Sequence, residues 1–245
     1  MTTVARPLVA ATALAALALA GCSKPGAGGD APAPQAAAAP SAAEKGEPVI
    51  ADPAKTTAPA AAYTLDKNHS TVVFRLSHLG FSKYTGEFAK LDGTLQFDPA
   101  HPEAMSVTAT IDPTSLIIPS PPKGFRETLL GKTWLDAGQY PEITFRSTKV
   151  VRTGADTADV TGDFTLHGVT KPVVLHTTFN GGYAANPFDG ARVGFSAKTS
   201  IRRSDFGIAY GLPAPGNNLG VGDNIDVTIE SEWNSGKPTA PLPKA

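Results

Sequence analysis

The sequence predicts an all-β protein, folded as an eight-stranded antiparallel β-barrel with one or two short helices between its third and fourth strands. From residue 63 to residue 234, apolar and polar residues alternate in eight runs, which indicates strands with one covered face and one wet face. Segments containing Gly, Pro, Asp and Asn separate many of these runs, as is typical of turns. Closing the sheet into a barrel would leave no exposed strand edge.

The first four strands are predicted from the runs at residues 63–65 continuing as 71–78, then 86–97, 105–111 and 143–151. In the first run, Phe74, Leu76 and His78 share one face. In the second run, Phe88 is out of phase with the apolar residues that follow it, which predicts a bulge or bend near residues 89 and 90. These strands therefore present one apolar face each.

The last four strands follow the same alternation. Residues 160–179 form two such runs around a short break that contains Gly168 and Pro172, which predicts a β-hairpin as strands five and six. Residues 192–202 and 224–233 supply strands seven and eight.

Two stretches break the alternation. Residues 112–141 hold a proline cluster followed by residues 123–137, whose apolar positions recur at helical intervals, so we expect short helices that cap one end of the barrel. Residues 205–223 form a long loop rich in Gly and Pro, and long loops on a rigid scaffold often border a binding site.

The strand number limits what the interior can hold. Eight strands enclose a space that side chains just fill, or that admits one small ligand where those side chains are small or spread apart. The inward faces here mix large apolar residues with Gly, Ala, Ser and Thr. That mixture suits an apolar cavity, but by itself it indicates only a core.

The first 62 residues predict a lipid anchor and a tether. Residues 8–20 are a nearly unbroken run of Leu, Ala and Val that is too short to span a bilayer comfortably, and it has the form of a signal peptide ending at residue 21. The sequence Leu19-Ala20-Gly21-Cys22 resembles a bacterial lipobox, which implies lipidation of Cys22. Two or more acyl chains anchor a protein stably. Lipoproteins that stay at the inner membrane of Gram-negative bacteria commonly carry Asp after the cysteine. Because Ser23 stands there instead, we expect retention at the outer membrane, facing the periplasm.

The rest of the chain divides by composition. Residues 22–62 are rich in Ala and Pro and predict a disordered tether, residues 63–234 the barrel domain, and residues 235–245 a disordered tail. Cys22 is the one cysteine, so a disulfide within the chain is impossible. The net charge of -1 gives no electrostatic argument for binding nucleic acid.

Catalytic and metal motifs have little support in this sequence. It contains no H-E-x-x-H pair, no Gly-x-Ser-x-Gly elbow and no phosphate loop, so we expect neither an enzyme nor a metal site. His78, on an apolar face, is a candidate polar contact to a ligand head group, or else a hydrogen-bonded histidine of the core or rim. Arg202, Arg203 and Asp205 either brace the long loop internally or place one arginine at a head group.

Several segments together resemble the YceI-like family of bacterial periplasmic proteins. They include Tyr63-Thr-Leu-Asp-Lys-Asn-His-Ser-Thr-Val-Val-Phe74, Gly86-Glu-Phe88, Tyr140-Pro-Glu-Ile-Thr-Phe-Arg-Ser-Thr148, Val160-Thr-Gly-Asp-Phe-Thr-Leu-His-Gly-Val-Thr-Lys-Pro172 and Ile201-Arg-Arg-Ser-Asp-Phe-Gly-Ile208. The resemblance implies a lipocalin-like barrel whose elongated apolar cavity holds a polyisoprenoid. The lipobox with its tether and the segment at residues 128–137 depart from the usual family pattern.

We therefore expect a non-enzymatic protein that binds a polyisoprenoid, an isoprenoid quinone or a precursor for storage, shielding or transport at the bacterial envelope. No cofactor is expected besides this non-covalently bound lipid, and the sequence does not reveal protein partners. The candidate ligand residues are Phe74, Leu76, His78, Phe88, Phe145, Phe164, Leu166, Leu175, Phe179, Phe195 and Arg202. The alternatives are a ligand-free envelope-stress or interaction scaffold with a filled core and, more distantly, an enzyme that acts on an isoprenoid.

Overall fold

A computed structural model describes residues 56–236, and their strands form one antiparallel sheet. The strands are β1 (Ala61–Leu65), β2 (Thr71–His78), β3 (Ser82–Phe88), β4 (Leu91–Phe97), β5 (Ser106–Ile111), β6 (Leu116–Ile117), β7 (Ile143–Arg152), β8 (Thr157–Leu166), β9 (Val169–Tyr183), β10 (Arg192–Arg202) and β11 (Val221–Asn234). The α-helix α1 spans Phe125–Leu130. Short 3-10 turns lie at Pro102–Ala104, Pro113–Ser115 and Arg203–Phe206.

The sheet closes into the predicted eight-stranded barrel. β1 and β2 both pair with β11, so they form one interrupted strand, and β3 and β4 continue each other as the second. With β5 and β7 to β11 these make eight, each paired antiparallel to its neighbours. Leu65 opposite Trp233 closes the ring between the first and last strands. The predicted fold class is confirmed.

Three local features differ from the sequence prediction or refine it. The second strand begins at Ser82, because a tight turn with Leu79 and Gly80 at positive φ folds β3 directly back on β2. The expected bend lies at residues 89–90, between β3 and β4. The two-residue β6 adds to the free side of β3, and a segment this short carries no detectable alternation.

The predicted helical segment contains one short helix. α1 covers six residues, and turns follow it up to Ala137. Arg126 of α1 donates hydrogen bonds to the carbonyl oxygens of Leu116 and Thr114, which fixes the helix against β6. Within residues 56–236, no helix is long and apolar enough to cross a membrane.

The connections gather at the two ends of the barrel. One end, called here the helix end, carries the β2–β3 turn, the β8–β9 turn, the connection at residues 112–142 and the loop at residues 203–220. Contacts join these pieces: Leu79 N donates to Gly220 O (2.8 Å), and the imidazole of His167 lies 3.2 Å from Phe206 O. The other end, the turn end, carries the connections at residues 98–105, 153–156 and 184–191.

Aromatic rings pack the turn end. Tyr63, Phe97 and Phe179 are almost wholly buried, with Phe97 at 5.7 Å from Tyr63 and 5.8 Å from Phe179 between ring centroids. Such offset and edge-on aromatic pairs add to the free energy gained by apolar burial. They form an aromatic layer of the core at this end, while Pro102, Ala155 and Asp156 of the turn-end connections also line the interior space.

The described structure also bears on the predicted boundaries. Ala58 is buried and Thr56 donates a hydrogen bond to Gly182 O (3.0 Å), so the barrel begins before Tyr63, the predicted first residue. Pairing in β1 supplies the reason, since Ala61 and Ala62 already lie opposite β4. The predicted signal peptide, Cys22, the tether up to residue 55 and the tail from residue 237 lie outside the described residues.

Candidate functional site

An elongated apolar cavity of about 780 Å³ occupies the interior of the barrel. Every second residue of a strand faces it, which is the consequence of the two-residue period of a β-strand. On β2 the wall is Val72, Phe74, Leu76 and His78. The volume falls within the range of roughly 300–1,000 Å³ that is typical of ligand pockets.

The structure places ten of the eleven predicted ligand residues in this cavity wall. They are the apolar residues Phe74, Leu76, Phe88, Phe145, Phe164, Leu166, Leu175, Phe179 and Phe195, together with His78. They come from six strands spread around the barrel. Strand alternation thus brings together residues that lie far apart in the chain.

Arg202, the eleventh, lies elsewhere. Its side chain is 63 % exposed on the outside of the barrel, where Nε donates to Asp223 Oδ2 (2.9 Å). Asp223 also accepts hydrogen bonds from the backbone N and the hydroxyl of Ser204. The Arg202–Asp223 pair therefore braces the start of the long loop and does not contact the cavity.

Arg203, the next residue, places a buried cation at the cavity wall. It is 1 % exposed, and its guanidinium donates to the carbonyl oxygens of Gly222 (2.9 Å), Val221 (2.7 Å), Ile208 (2.8 Å) and Tyr210 (2.8 Å). Burial lowers the pKa of Arg203, against the opposing effect of the Asp223 charge. The side chain ties both arms of the loop at residues 207–222 together over the helix end.

The sequence does contain a pattern that predicts the inward position of Arg203. Thr199 and Ile201 face the cavity on β10, and the two-residue period carried one step further reaches Arg203, whereas Arg202 is out of phase. Trp134 also contacts Arg203 through a cation–π interaction, with its ring centroid 5.1 Å from the guanidinium carbon. Trp134 and Tyr210, whose ring centroids are 5.7 Å apart, also line the cavity and come from the two irregular connections.

His78 stands at the rim of the helix end. It lines the cavity but is exposed, and its ring centroid lies 6.3 Å from that of Tyr84. Tyr210 is likewise both exposed and part of the lining. Exposed lining residues mark a mouth, so the cavity reaches solvent here beside an imidazole and two phenol groups. Arg152 and Ala155 at the turn end are exposed lining residues as well, so the cavity also approaches solvent there.

A glycine keeps one wall flat. A Cβ on Gly86 would lie 2.3 Å from Cζ of Phe74, so the Phe74 ring occupies the space over β3 that a side chain would otherwise fill. The ring thereby lies along the wall beside Phe88, at 5.5 Å between centroids. The segment Gly86-Glu-Phe88 thus shapes the cavity in two ways: Gly86 has no side chain, which leaves room for the Phe74 ring, and Phe88 forms part of the wall.

A cluster of possible metal ligands lies outside the cavity. Atoms of Asp66, His69 and Glu232 approach within 4.8 Å of one another. However, Arg192 occupies the centre, where Nη1 donates to Asp66 Oδ2 (2.6 Å) and to Glu232 Oε2 (3.0 Å). The cluster is therefore an ion-pair network that joins the corner after β1 to β10 and β11.

The fold and the cavity place the protein among closed antiparallel barrels that enclose one elongated apolar space. A family model for the YceI-like domain matches residues 63–233, and the chain belongs to that family. Among curated relatives, a UPF0312 protein of Pseudomonas syringae pv. tomato is 42 % identical over 173 residues, which cover 70 % of this chain and 86 % of the relative.

Solved structures show the same fold. BcnA of Burkholderia cenocepacia is 27 % identical with a TM-score of 0.58, over 69 % of this chain and 98 % of that one. A domain of Saccharophagus degradans described as polyisoprenoid binding is 14 % identical with a TM-score of 0.53, over 71 % of this chain and 98 % of that one. At that identity the likeness concerns the fold alone.

Proposed function

We propose that the barrel binds one long apolar isoprenoid lipid, with its tail in the cavity and its polar head at the helix end. The observation that carries this proposal is the cavity itself, an elongated apolar space of about 780 Å³ inside a closed barrel of the YceI-like family. The ligand is a polyisoprenoid, an isoprenoid quinone or a precursor, and the protein stores, shields or presents it. None of these three roles requires catalysis.

Burial of the lipid tail in the apolar cavity supplies the main favourable contribution to the binding free energy. A tail that buries several hundred Å² gains roughly 10 kcal/mol at about 25 cal/mol per Å². Association and ordering cost about 4–15 kcal/mol, so the tail alone supports weak to moderate binding. His78, Tyr84 and Tyr210 at the rim offer hydrogen bonds to an oxygen-bearing head group, and the buried cation Arg203 adds a favourable potential for an electron-rich one.

Native mass spectrometry with lipid extraction tests the proposal. The protein purified from a bacterial host should release a reproducible isoprenoid, and added long-chain isoprenoid quinone should quench its tryptophan fluorescence. Both tryptophans of the chain, Trp134 and Trp233, line the cavity and provide the signal. An empty barrel with no affinity for such quinones would contradict the proposal and favour a scaffold, whereas turnover of the lipid would favour an enzyme.

A pair of matched variants links the ligand to the cavity. Ala197 is buried in the wall of β10, and Lys198, the next residue, is exposed on the outer face. Ala197→Phe should fill part of the cavity and reduce the recovered lipid, while Lys198→Phe adds the same ring outside and should leave recovery unchanged. Equal recovery from both variants would place the lipid outside the barrel.

We further propose that the protein is lipidated at Cys22 and stays at the outer membrane, facing the periplasm. The support is the lipobox-like Leu19-Ala20-Gly21-Cys22 after an apolar run, with Ser23 following. Cys22→Ala should abolish lipid labelling and cleavage before the cysteine, which metabolic labelling with a fatty acid and mass measurement of the mature chain detect. An unchanged mature mass would refute lipidation.

A further inference from the structure

We propose that the helix end of the barrel docks onto a lipid bilayer through a surface formed by Phe81, Tyr210 and Leu219, so that the ligand passes directly between membrane and cavity. This inference rests on the proposed function and adds its partner and orientation. The three residues are named the docking patch below.

The docking patch consists of large apolar side chains that face solvent at loop tips. Phe81 is 82 % exposed, Leu219 63 % and Tyr210 61 %, which makes them the three most exposed large hydrophobic residues of residues 56–236. Exposed apolar clusters of this kind mark interaction sites more often than they serve stability. Tyr210 suits a bilayer interface, because its ring has an apolar body and a polar hydroxyl tip, and Phe81 adds a wholly apolar ring.

Backbone contacts hold the patch together. Leu79 N donates to Gly220 O (2.8 Å), and Phe81 N donates to His78 O (3.0 Å). The β2–β3 turn that carries Phe81 is thereby fixed beside the loop tip that carries Leu219. The guanidinium of Arg203, through Tyr210 O and Val221 O, fixes the two arms of the same loop. The apolar tips therefore belong to anchored turns.

The patch is continuous with the cavity mouth, and this continuity selects a membrane as the occupant. Tyr210 belongs both to the patch and to the lining, and His78, three residues before Phe81, lies at the rim. A long isoprenoid tail resides in a bilayer and would lose its apolar contacts in crossing water. Seating the mouth on the bilayer lets the tail move from one apolar phase to the other.

The charges around the patch predict which force drives docking. Residues 112–142 and 203–220 of the helix end together carry four Lys or Arg and five Asp or Glu, so their charges nearly balance. Nearby, Lys83 lies 2.7 Å from Asp226 and Lys171 4.0 Å from Asp205. A balanced surface gains little from anionic lipid headgroups. Docking should therefore depend on insertion of apolar side chains and change little with salt.

The chain before the barrel is long enough to allow this orientation. Thr56 is bonded to Gly182 near the turn end, opposite the patch. Residues 23–55 span at most about 120 Å at roughly 3.6 Å per residue. The longest strand, β9 with 15 residues, is about 50 Å long at roughly 3.4 Å per residue. A barrel held at Cys22 could thus turn its helix end to the membrane.

The test uses residues 56–236, which carry all eight strands, both partners of the closing pair and the core described above, and so contain what the barrel needs to fold. This fragment lacks the predicted lipid anchor, so its flotation with vesicles of phosphatidylethanolamine and phosphatidylglycerol reports docking alone. Phe81→Ser and Leu219→Ser should each lower vesicle partition about tenfold, the order expected for withdrawing one large apolar side chain from a bilayer.

The matched control is Phe188→Ser. Phe188 is 57 % exposed but lies in the β9–β10 connection at the turn end, so its replacement should leave partition unchanged. Unchanged thermal unfolding of all three variants verifies that they are folded. Absence of vesicle binding by the unsubstituted fragment, or an equal loss in Phe188→Ser, would overturn the proposal.

A second measurement separates docking from ligand binding. Phe81 and Leu219 do not line the cavity, so the Phe81→Ser/Leu219→Ser variant should bind a short-chain isoprenoid quinone in vesicle-free buffer as the unsubstituted fragment does. It should nevertheless take up long-chain quinone from donor vesicles at least about tenfold more slowly. Equal uptake rates would overturn docking, and vesicle binding without any quinone affinity would leave docking intact while refuting the proposed function.

Discussion

Arg202 and Arg203 are adjacent in the chain, but their environments are opposite. Arg202 pairs with Asp223 in solvent, whereas Arg203 is buried and satisfies four backbone carbonyl groups. An exposed ion pair contributes about 0–1 kcal/mol to stability. Removing a buried donor costs more, because each carbonyl left without a partner is still desolvated.

The first prediction compares these two residues. Arg203→Met should lower the free energy of unfolding by about 3 kcal/mol or more, because it leaves several buried carbonyl groups unsatisfied. Arg202→Met, the control, should lower it by less than about 1 kcal/mol. Urea unfolding monitored by tryptophan fluorescence measures both, and equal losses would contradict the structural role assigned to Arg203.

The second prediction, also at the residue scale, concerns Gly86. Gly86→Ala forces the Phe74 ring off the wall, because the added Cβ would lie 2.3 Å from Phe74 Cζ. The ring moves into the lumen, and we expect affinity for long-chain isoprenoid quinone to fall about tenfold, in line with overpacking costs of about 1–3 kcal/mol. Titration monitored by tryptophan fluorescence measures the affinity. Gly138→Ala is the control, because a Cβ at Gly138 would meet no heavy atom within 4 Å.

At the scale of elements, the β8–β9 hairpin has a two-residue turn with a demanding backbone. His167 and Gly168 both have positive φ, at 51° and 74°, as the type I′ turn between twisted strands requires. Tyr140 packs over the turn, with its ring centroid 4.8 Å from that of His167. Nδ1 of His167 lies 3.2 Å from Phe206 O, which also links the hairpin to the long loop.

The third prediction tests this turn. Gly168→Ala should lower the free energy of unfolding by more than about 1–2 kcal/mol, because the left-handed backbone disfavours a Cβ and that Cβ would lie 2.4 Å from Tyr140 Cε1. Gly124→Ala is the control, since Gly124 has a similar φ of 78° with nothing within 4 Å. It isolates the backbone cost, and thermal unfolding of both variants separates this cost from the clash.

At the scale of the molecule, an ion-pair network reinforces barrel closure. Asp66 lies at the corner after β1, Arg192 and Asp189 at the start of β10, and Glu232 on β11. Hydrogen bonds from His69 and then Arg192 lower the pKa of Asp66 despite burial. Burial alone would raise the pKa of Asp189, but its hydrogen bonds from Arg192 and Tyr183 outweigh that effect and lower it.

The fourth prediction follows from the signs of these shifts. A carboxyl group whose pKa is lowered on folding stabilises the fold above its unfolded pKa of 3.8, and this stability is lost as the pH falls through the folded values. The pKa of His69 is raised, mainly by Asp66, so its contribution is present below 6.5 and lost as the pH rises through the folded pKa. Stability should therefore be greatest between about pH 4 and pH 6.5.

Two variants test which residues cause this pH dependence of stability. Arg192→Met should lower the maximum free energy of unfolding. It should also reduce the loss of stability at acid pH, because the carboxyl groups lose the cation that lowers their pKa values. His69→Gln should flatten the slope above pH 6.5. Lys132→Met, which removes an exposed cation that forms no ion pair with a carboxylate among residues 56–236, is the control. Free energies of unfolding from urea titrations across the pH range measure these effects, and an unchanged loss of stability at acid pH in Arg192→Met would refute the network's role.

Local sequence patterns were enough to predict the barrel and most of the residues that line the cavity. Strand alternation is a local signal, so parity alone placed Phe74, Phe164 and Phe195 on inward faces that the structure confirms as lining. The eight predicted strands follow for the same reason. Resemblance to the YceI-like family, which the comparisons confirm, added the expectation of a hollow interior.

The arrangement of the helix end, in contrast, depends on contacts between segments that are distant in the chain. Trp134 and Tyr210 come from irregular connections without a period, so their approach to Arg203 depends on contacts between distant segments. The same holds for the juxtaposition of Phe81 and Leu219, whose turns meet through backbone hydrogen bonding between Leu79 and Gly220. Alternation records which face of a strand is covered, but the meeting of loops depends on packing between elements remote in sequence.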